Sequence, residues 1–189
     1  MGLDQKKETL VVNILGGPGV GKSTTTAAVF SQLKVMGVDC EIASEYAKEL
    51  VWEQRNETFK DELYIFAKQA HRLFRLNGKV DVVVTDRPLI LTCCYATEDP
   101  KLCEFCYDRF SSYKNLNYLL LRNEENYEEN GRNQTLEEAK AIDEMLIRKL
   151  DEFNIPYQKL SVDAYTVWDI VSDINYALMP EGEKNAEID

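Results

Sequence analysis

The sequence predicts an α/β fold, a five-stranded parallel sheet flanked by helices, on three observations. Short β-branched, apolar runs alternate along the chain with helix-length segments, as in sheets buried on both faces. A glycine-rich loop with the spacing of a phosphate cradle joins the first run to the first helix. Charged residues stand at the carboxyl ends of the runs, where parallel sheets bind ligands. A chain of 189 residues suits one domain. That domain is read over residues 1–179, with a lid at about 122–134 and an acidic tail at 180–189.

The elements follow in order. Thr9 to Leu15 reads as a buried strand, and Lys22 to Met36 as a helix closed by Gly37. Val38 to Ala43 is a second strand, after which Ser44 is expected to cap a helix reaching Glu53. A longer helix is expected over 59–76, ending at Asn77-Gly78, then a third strand from Val80 to Thr85. Residues 88–113 read as helical with a break at Thr97 to Pro100, and Leu116 to Leu121 as a fourth strand. Arg122 to Gln134 is polar and reads as an exposed loop. Thr135 and Glu138 have capping-box spacing, opening a helix to about Phe153. Tyr157 to Val162 is the fifth strand, Ala164 to Leu178 the last helix, and 180–189 a disordered tail.

The net charge is −11, which disfavours a non-specific nucleic-acid coat. Basic and acidic residues balance over residues 1–122, at 16 each, so the acid excess lies in residues 123–189, with 6 against 17. The first two-thirds can therefore still present a basic surface, and nucleic acid stays possible as a substrate. No apolar run approaches the ~20 residues of a membrane helix, and the N-terminus has no apolar signal core. Lys6 stands where a myristoylation motif needs Ser or Thr. A cytoplasmic protein without membrane attachment is the expectation. The five cysteines, an odd number, argue against a disulfide framework. Zinc ligation by Cys93, Cys94, Cys103 and Cys106 is an open alternative to free thiols.

Gly16-Gly17-Pro18-Gly19-Val20-Gly21-Lys22-Ser23, followed by Thr24, matches G-x-x-x-x-G-K-[ST] between a strand and a helix. Glycines let successive backbone N–H groups turn inward around phosphate oxygens, and the helix N-terminus adds partial positive charge. Lys22 is expected to reach the β- and γ-phosphates of ATP, and the Ser23 hydroxyl to ligate Mg²⁺. This loop alone does not separate ATPase, GTPase and kinase.

Residues at the strand ends carry the distinction. Asp86 ends the third strand, where a carboxylate can hold Mg²⁺; its bland alternative is a helix cap before Pro88. Arg87 can reach the phosphoryl group or the acceptor, or form a surface ion pair. Glu45 can take a proton from an acceptor hydroxyl, or simply favour the dipole of a first helical turn. Arg122 follows the fourth strand.

The segments GGPGVGKST, SEYAKEL and VVVTDRP, with the late Gly131-Arg132, resemble a family of small AAA-like P-loop kinases. Its best-known member is the ribosylnicotinamide kinase domain of a bacterial NAD-biosynthesis regulator; deoxynucleoside kinases look like more distant relatives. The resemblance implies a P-loop NTPase of nucleoside- or nucleotide-kinase type with strand order 2-3-1-4-5. It implies Glu45 or Asp86 as general base, Asp86 on Mg²⁺, Arg87 on the phosphoryl or acceptor side, and Arg132 as the lid arginine.

Lys68, Arg72, Arg75 and Lys79 form a basic stripe near the single histidine, His71. The stripe is a solvated face or a grip on an anionic acceptor. Gln69 beside it can read a base edge through two hydrogen bonds. The expected activity is transfer of the ATP γ-phosphate to a hydroxyl of a nucleoside- or nucleotide-like acceptor. The alternatives are a kinase acting on polynucleotide ends or hydroxymethylated bases in DNA, and a regulatory ATPase without acceptor. A guanine-reading Asn-Lys-x-Asp sequence is missing, which argues against a signalling GTPase.

Overall fold

Successive residues of β1 (Leu10–Leu15) point to opposite faces of the sheet, and all six are buried. In this computed structural model, which describes residues 8–123 and 135–184, helices cover both faces. Leu10, Val12 and Ile14 pack with Val29 and Leu33 of α1 (Lys22–Val35) and Ile170 and Ile174 of α6 (Thr166–Leu178). Val11 and Leu15 pack into a second cluster. It contains Phe66 and Leu73 of α3 (Glu62–Phe74), the 3₁₀ segment Leu89–Cys94, and Phe110 of α4 (Pro100–Ser111). Leu146 and Leu150 of α5 (Leu136–Glu152) complete it. Burying each side chain of this size is worth roughly 1.5–3 kcal/mol.

The other strands are β2 (Cys40–Ala43), β3 (Val82–Thr85), β4 (Lys114–Leu121) and β5 (Gln158–Ser161). All pairings are parallel and the order is β2-β3-β1-β4-β5, as the resemblance implies. Register positions the chemistry. Ala43 pairs with Thr85, so the residues that follow, Ser44-Glu45 and Asp86-Arg87, emerge side by side. β1 between β3 and β4 delivers the glycine loop to the same sheet end.

Several boundaries differ from expectation for identifiable reasons. Ser44 does not cap α2 (Tyr46–Trp52). Glu45 is the N-cap residue and makes no side-chain cap bond, while Ser44 Oγ accepts from Arg72 Nη1 at 2.7 Å. The helix expected over 59–76 is split. Asn56–Lys60 is a 3₁₀ turn, and Asp61 then caps α3 by accepting from Tyr64 N at 3.0 Å. The capping box at Thr135 and Glu138 has both bonds, at 3.3 and 2.8 Å. The break within 88–113 falls where expected, with Asp99 capping α4 and Pro100 opening it. A short α7 (Glu181–Lys184) stands where a disordered tail is expected, with Glu183 N donating to Pro180 O at 2.9 Å.

The cysteines need a correction. Packing of segment 89–94 against α4 brings the Cα atoms of Cys93 and Cys103 to 4.8 Å, and the two are joined as a disulfide rather than free. Cys40, Cys94 and Cys106 are free and buried. Burial pushes the Cys94 and Cys106 thiols up to about 12, which disfavours the thiolate a metal needs. Among the described residues no group of three or more His, Cys, Asp or Glu is placed to hold a metal ion. No described helix is long and apolar enough to cross a membrane.

Candidate active site

The loop between β1 and α1 turns through three glycines with positive φ: Gly16 at 139°, Gly19 at 83° and Gly21 at 97°. Gly21 is the N-cap residue of α1, has no side chain to cap with, and precedes a first turn free of acid. The helix therefore offers its amides and positive dipole end to an anion. Gly17 is required for space. A Cβ there would lie 2.7 Å from Asp143 Oδ1 and 2.8 Å from the Ala139 carbonyl oxygen.

Asp143 of α5 fastens this loop. Its Oδ1 accepts from Gly17 N at 2.5 Å, and its Oδ2 accepts from Arg122 Nε at 2.6 Å. Arg122 Nη1 donates to the Pro18 carbonyl at 2.8 Å. The two ends of the segment 122–143 thus clasp the phosphate loop through charge-assisted bonds. Sequence reasoning placed Arg122 at a strand end without a role and missed Asp143, which reads as one more acid on a charged helix.

Lys22 Nζ donates to the Gly17 carbonyl at 2.7 Å, arching over the loop. Burial lowers its pKa, opposed by the nearby Glu45 and Asp86. Ser23 Oγ donates to Asp86 Oδ2 at 2.7 Å, while Asp86 Oδ1 is buried without a hydrogen-bond partner. A hydroxyl and a carboxylate at one point, with an acceptor oxygen left over, suit a hard divalent cation. These residues therefore fit Mg²⁺.

The phosphate loop borders a cavity of about 810 Å³. The loop residues Gly19, Lys22 and Ser23 form one wall, and Glu45, Glu62, Arg87, Phe59 and Tyr95 lie on others. Arg87 is only 4% exposed and sits 4.6 Å from the centre of the Tyr95 ring. Its guanidinium faces Glu45 at 3.6 Å and Glu62 at 3.8 Å. The surface ion pair considered for Arg87 is thus a buried one. Burial pushes the Tyr95 hydroxyl up to about 12, so it stays neutral. Glu62 also escaped the sequence reading, because an acid in the first turn of a helix looks like an ordinary dipole partner.

Gln69 and Arg72 are corrected as acceptor contacts. Gln69 is 2% exposed; its Oε1 accepts from Tyr46 N at 3.1 Å, and its Nε2 donates to the Ala43 carbonyl at 3.4 Å. The amide that was to read a base ties α2 to β2 instead. Arg72 donates to the Ser44 carbonyl at 2.9 Å and to Glu49 Oε1 at 2.6 Å. Lys68 lies 5.3 Å from the centre of the Tyr64 ring. Neither Gln69 nor Arg72 lines the cavity. Arg132 and Gly131 lie outside the described residues, as does most of the expected lid.

Known proteins agree with this architecture. No curated protein sequence matches the chain. Among solved structures, thymidylate kinase from Ehrlichia chaffeensis is similar, with a TM-score of 0.60 and 14% identity over 91% of this chain and 100% of that one. The NadR protein in complex with NR is also similar, with a TM-score of 0.60 and 19% identity over 89% of this chain. The match spans about half of NadR, 51% of its length. At these identities the likeness concerns the fold, which is that of P-loop nucleotide kinases. A family model described as an AAA domain matches residues 11–165, and the chain belongs to that family.

Proposed function

We propose that the protein is a kinase that transfers the γ-phosphate of ATP, with Mg²⁺, to a hydroxyl of a small nucleoside- or nucleotide-like acceptor. One observation carries this reading. The phosphate loop lines a cavity of about 810 Å³ that is also lined by two carboxylates and a buried arginine. Carboxylates and a buried arginine lining the same cavity as the phosphate loop supply groups suited to an acceptor hydroxyl. The similar NadR structure holds NR and the other similar structure is a thymidylate kinase, which supports an acceptor of this class.

Each residue then has a task. The loop from Gly16 to Thr24 binds the phosphate tail through those of its amides other than Gly17, whose N–H goes to Asp143, and Lys22 turns from the Gly17 carbonyl to the phosphates. Ser23 and Asp86 would hold Mg²⁺, which neutralises phosphate oxygens when bound. Glu45 accepts the proton of the acceptor hydroxyl; it lines the cavity, whereas Asp86 is engaged by Ser23. Arg87, fixed by Tyr95 and two carboxylates, orients the acceptor side and counters charge on the transferring group. Arg132, by resemblance, supplies a further cation from the lid.

The test is a screen of nucleosides, nucleotides and oligonucleotides for label from γ-³²P-ATP. Label on a small acceptor is the expected result. Label confined to oligonucleotides, with affinity falling steeply as salt rises, would replace the reading by a nucleic-acid kinase. ATP turnover indifferent to every acceptor would replace it by a regulatory ATPase.

A further inference from the structure

The chain leaves Arg87, passes through the buried 3₁₀ segment Leu89–Cys94, and returns at Tyr95 to set a ring centre 4.6 Å from the guanidinium it started from. Leu91 and Tyr95 of this loop line the acceptor cavity. Two bonds within the loop shape it: Leu91 N donates to Pro88 O and Tyr95 N to Thr92 O, each at 3.0 Å. Apolar packing and the Cys93–Cys103 disulfide tie the loop to α4. The disulfide thus starts two residues before the side chain that steadies Arg87.

Its surroundings suit a bond that opens and closes rather than a permanent framework. Cys94 adjoins Cys93, and Cys106 follows Cys103 by one helical turn, yet both remain thiols. Burial pushes these two thiols up to about 12, so they stay protonated and do not attack the bond. That leaves Cys93 and Cys103 as the exchanging pair. They are 1% and 5% exposed, but Cys103 closes the first turn of α4, behind the exposed residues 97–101. Asp99 caps this turn, accepting from Leu102 N at 3.0 Å. Helix ends fray, and opening of that turn admits a small thiol. The phosphate loop hangs on other anchors, Asp143 and Arg122.

We propose that Cys93 and Cys103 form a redox switch for the acceptor side of the cavity. Joined, they hold Tyr95 against Arg87; reduced by a dithiol, they release residues 89–95 and weaken acceptor use without weakening ATP binding. The effect on the acceptor rests on the kinase reading; the bond and its opening do not. A thiolate of the dithiol attacks the Cys103 sulfur, the S–S bond breaks, and Cys93 leaves and takes up a proton. The second thiol of the reductant then displaces Cys103. Two electrons and two protons reach the protein, and the reductant departs as a cyclic disulfide.

The experiment holds the full chain in glutathione disulfide and, separately, in dithiothreitol. Peptide mapping should find Cys93 and Cys103 joined in the first state and alkylated as free thiols in the second. Hydrogen exchange of amides 87–96 should rise about 10-fold on reduction, while that of β1 stays put. For the nucleoside or nucleotide that takes most label from γ-³²P-ATP, reduction should raise KM about 10-fold and leave the KM of ATP unmoved. Cys103→Ser should show the reduced values in both buffers. A missing Cys93–Cys103 peptide in glutathione disulfide overturns the inference, as does equal exchange in the two states; neither result needs a variant. An acceptor KM that ignores the redox state also overturns it, and leaves the kinase reading intact. If no nucleoside or nucleotide takes label, the kinase reading fails and the acceptor half of this inference with it, while the first two results still decide the bond.

Discussion

Replacing Asp143 by alanine should damage both the stability of the domain and its grip on ATP. The carboxylate makes two charge-assisted bonds, to Gly17 N at 2.5 Å and to Arg122 Nε at 2.6 Å. Hydrogen bonds to charged groups contribute about 1.5–3 kcal/mol each. Loss of Asp143 also takes an ion-pair contact from the Arg122 guanidinium, whose side chain is 7% exposed; breaking a buried pair costs about 3–5 kcal/mol. Two features reduce the sum. Asp143 itself is 20% exposed, and Arg122 keeps its bond to the Pro18 carbonyl. A net loss of about 2–4 kcal/mol follows, which for a domain of this size lowers Tm by about 5–15 °C. The phosphate loop, no longer fastened at Gly17, should bind a non-hydrolysable ATP analogue more weakly as well. Calorimetric titration and a thermal scan of the same sample read both effects. Asp143→Asn, which keeps an acceptor for Gly17 N–H but loses the charge, should fall between. A Tm within about 1 °C of wild type together with unchanged nucleotide affinity would refute the argument that α5 fastens the loop.

Other outcomes follow from the same geometry. Lys22→Ala should lower phosphoryl transfer by about 100-fold or more in a radiolabel assay, because it removes a preorganised cation from the transferring group. Glu45→Gln should cut kcat by about 100-fold with little change in the KM of ATP, the pattern of a lost base rather than a lost binding contact. Glu62 gives a pH dependence. Burial raises its folded pKa above the usual 4.5, so the folded state disfavours its anion, and stability present below pH 4.5 is lost as pH rises through the folded pKa. Glu62→Gln should therefore melt higher than wild type at pH 7.5, with the gap closing near pH 4.5; equal Tm differences at the two pH values would contradict this.

The strands and the phosphate loop were legible because their signals are local, whereas the strand order followed from the family resemblance. β1 is six buried residues in a row, and the glycine loop is contiguous. Asp86 and Glu45 could be placed for the same reason: each stands just beyond a strand whose register brings it to the site. What sequence could not show is which polar side chain a distant element occupies. Gln69 and Arg72 look poised for a ligand, but their groups are taken by Tyr46, Ser44 and Glu49 across a helix contact. The same contact removes Ser44 from its expected cap. Asp143 and Glu62 carry the opposite lesson. Both look like common helix acids, and only the fold sets one against Gly17, about 126 residues away in sequence, and the other against Arg87. The Cys93–Cys103 pairing depends likewise on the packing of segment 89–94 on α4, not on cysteine number.

The most direct measurement follows the γ-phosphorus through one turnover of ATP with enzyme in excess and a candidate acceptor present. Label recovered on a hydroxyl of a small sugar-bearing acceptor, and lost in Lys22→Ala, is the predicted result. Label recovered entirely as inorganic phosphate, at a rate untouched by any acceptor, would contradict an acceptor chamber beside the phosphate loop.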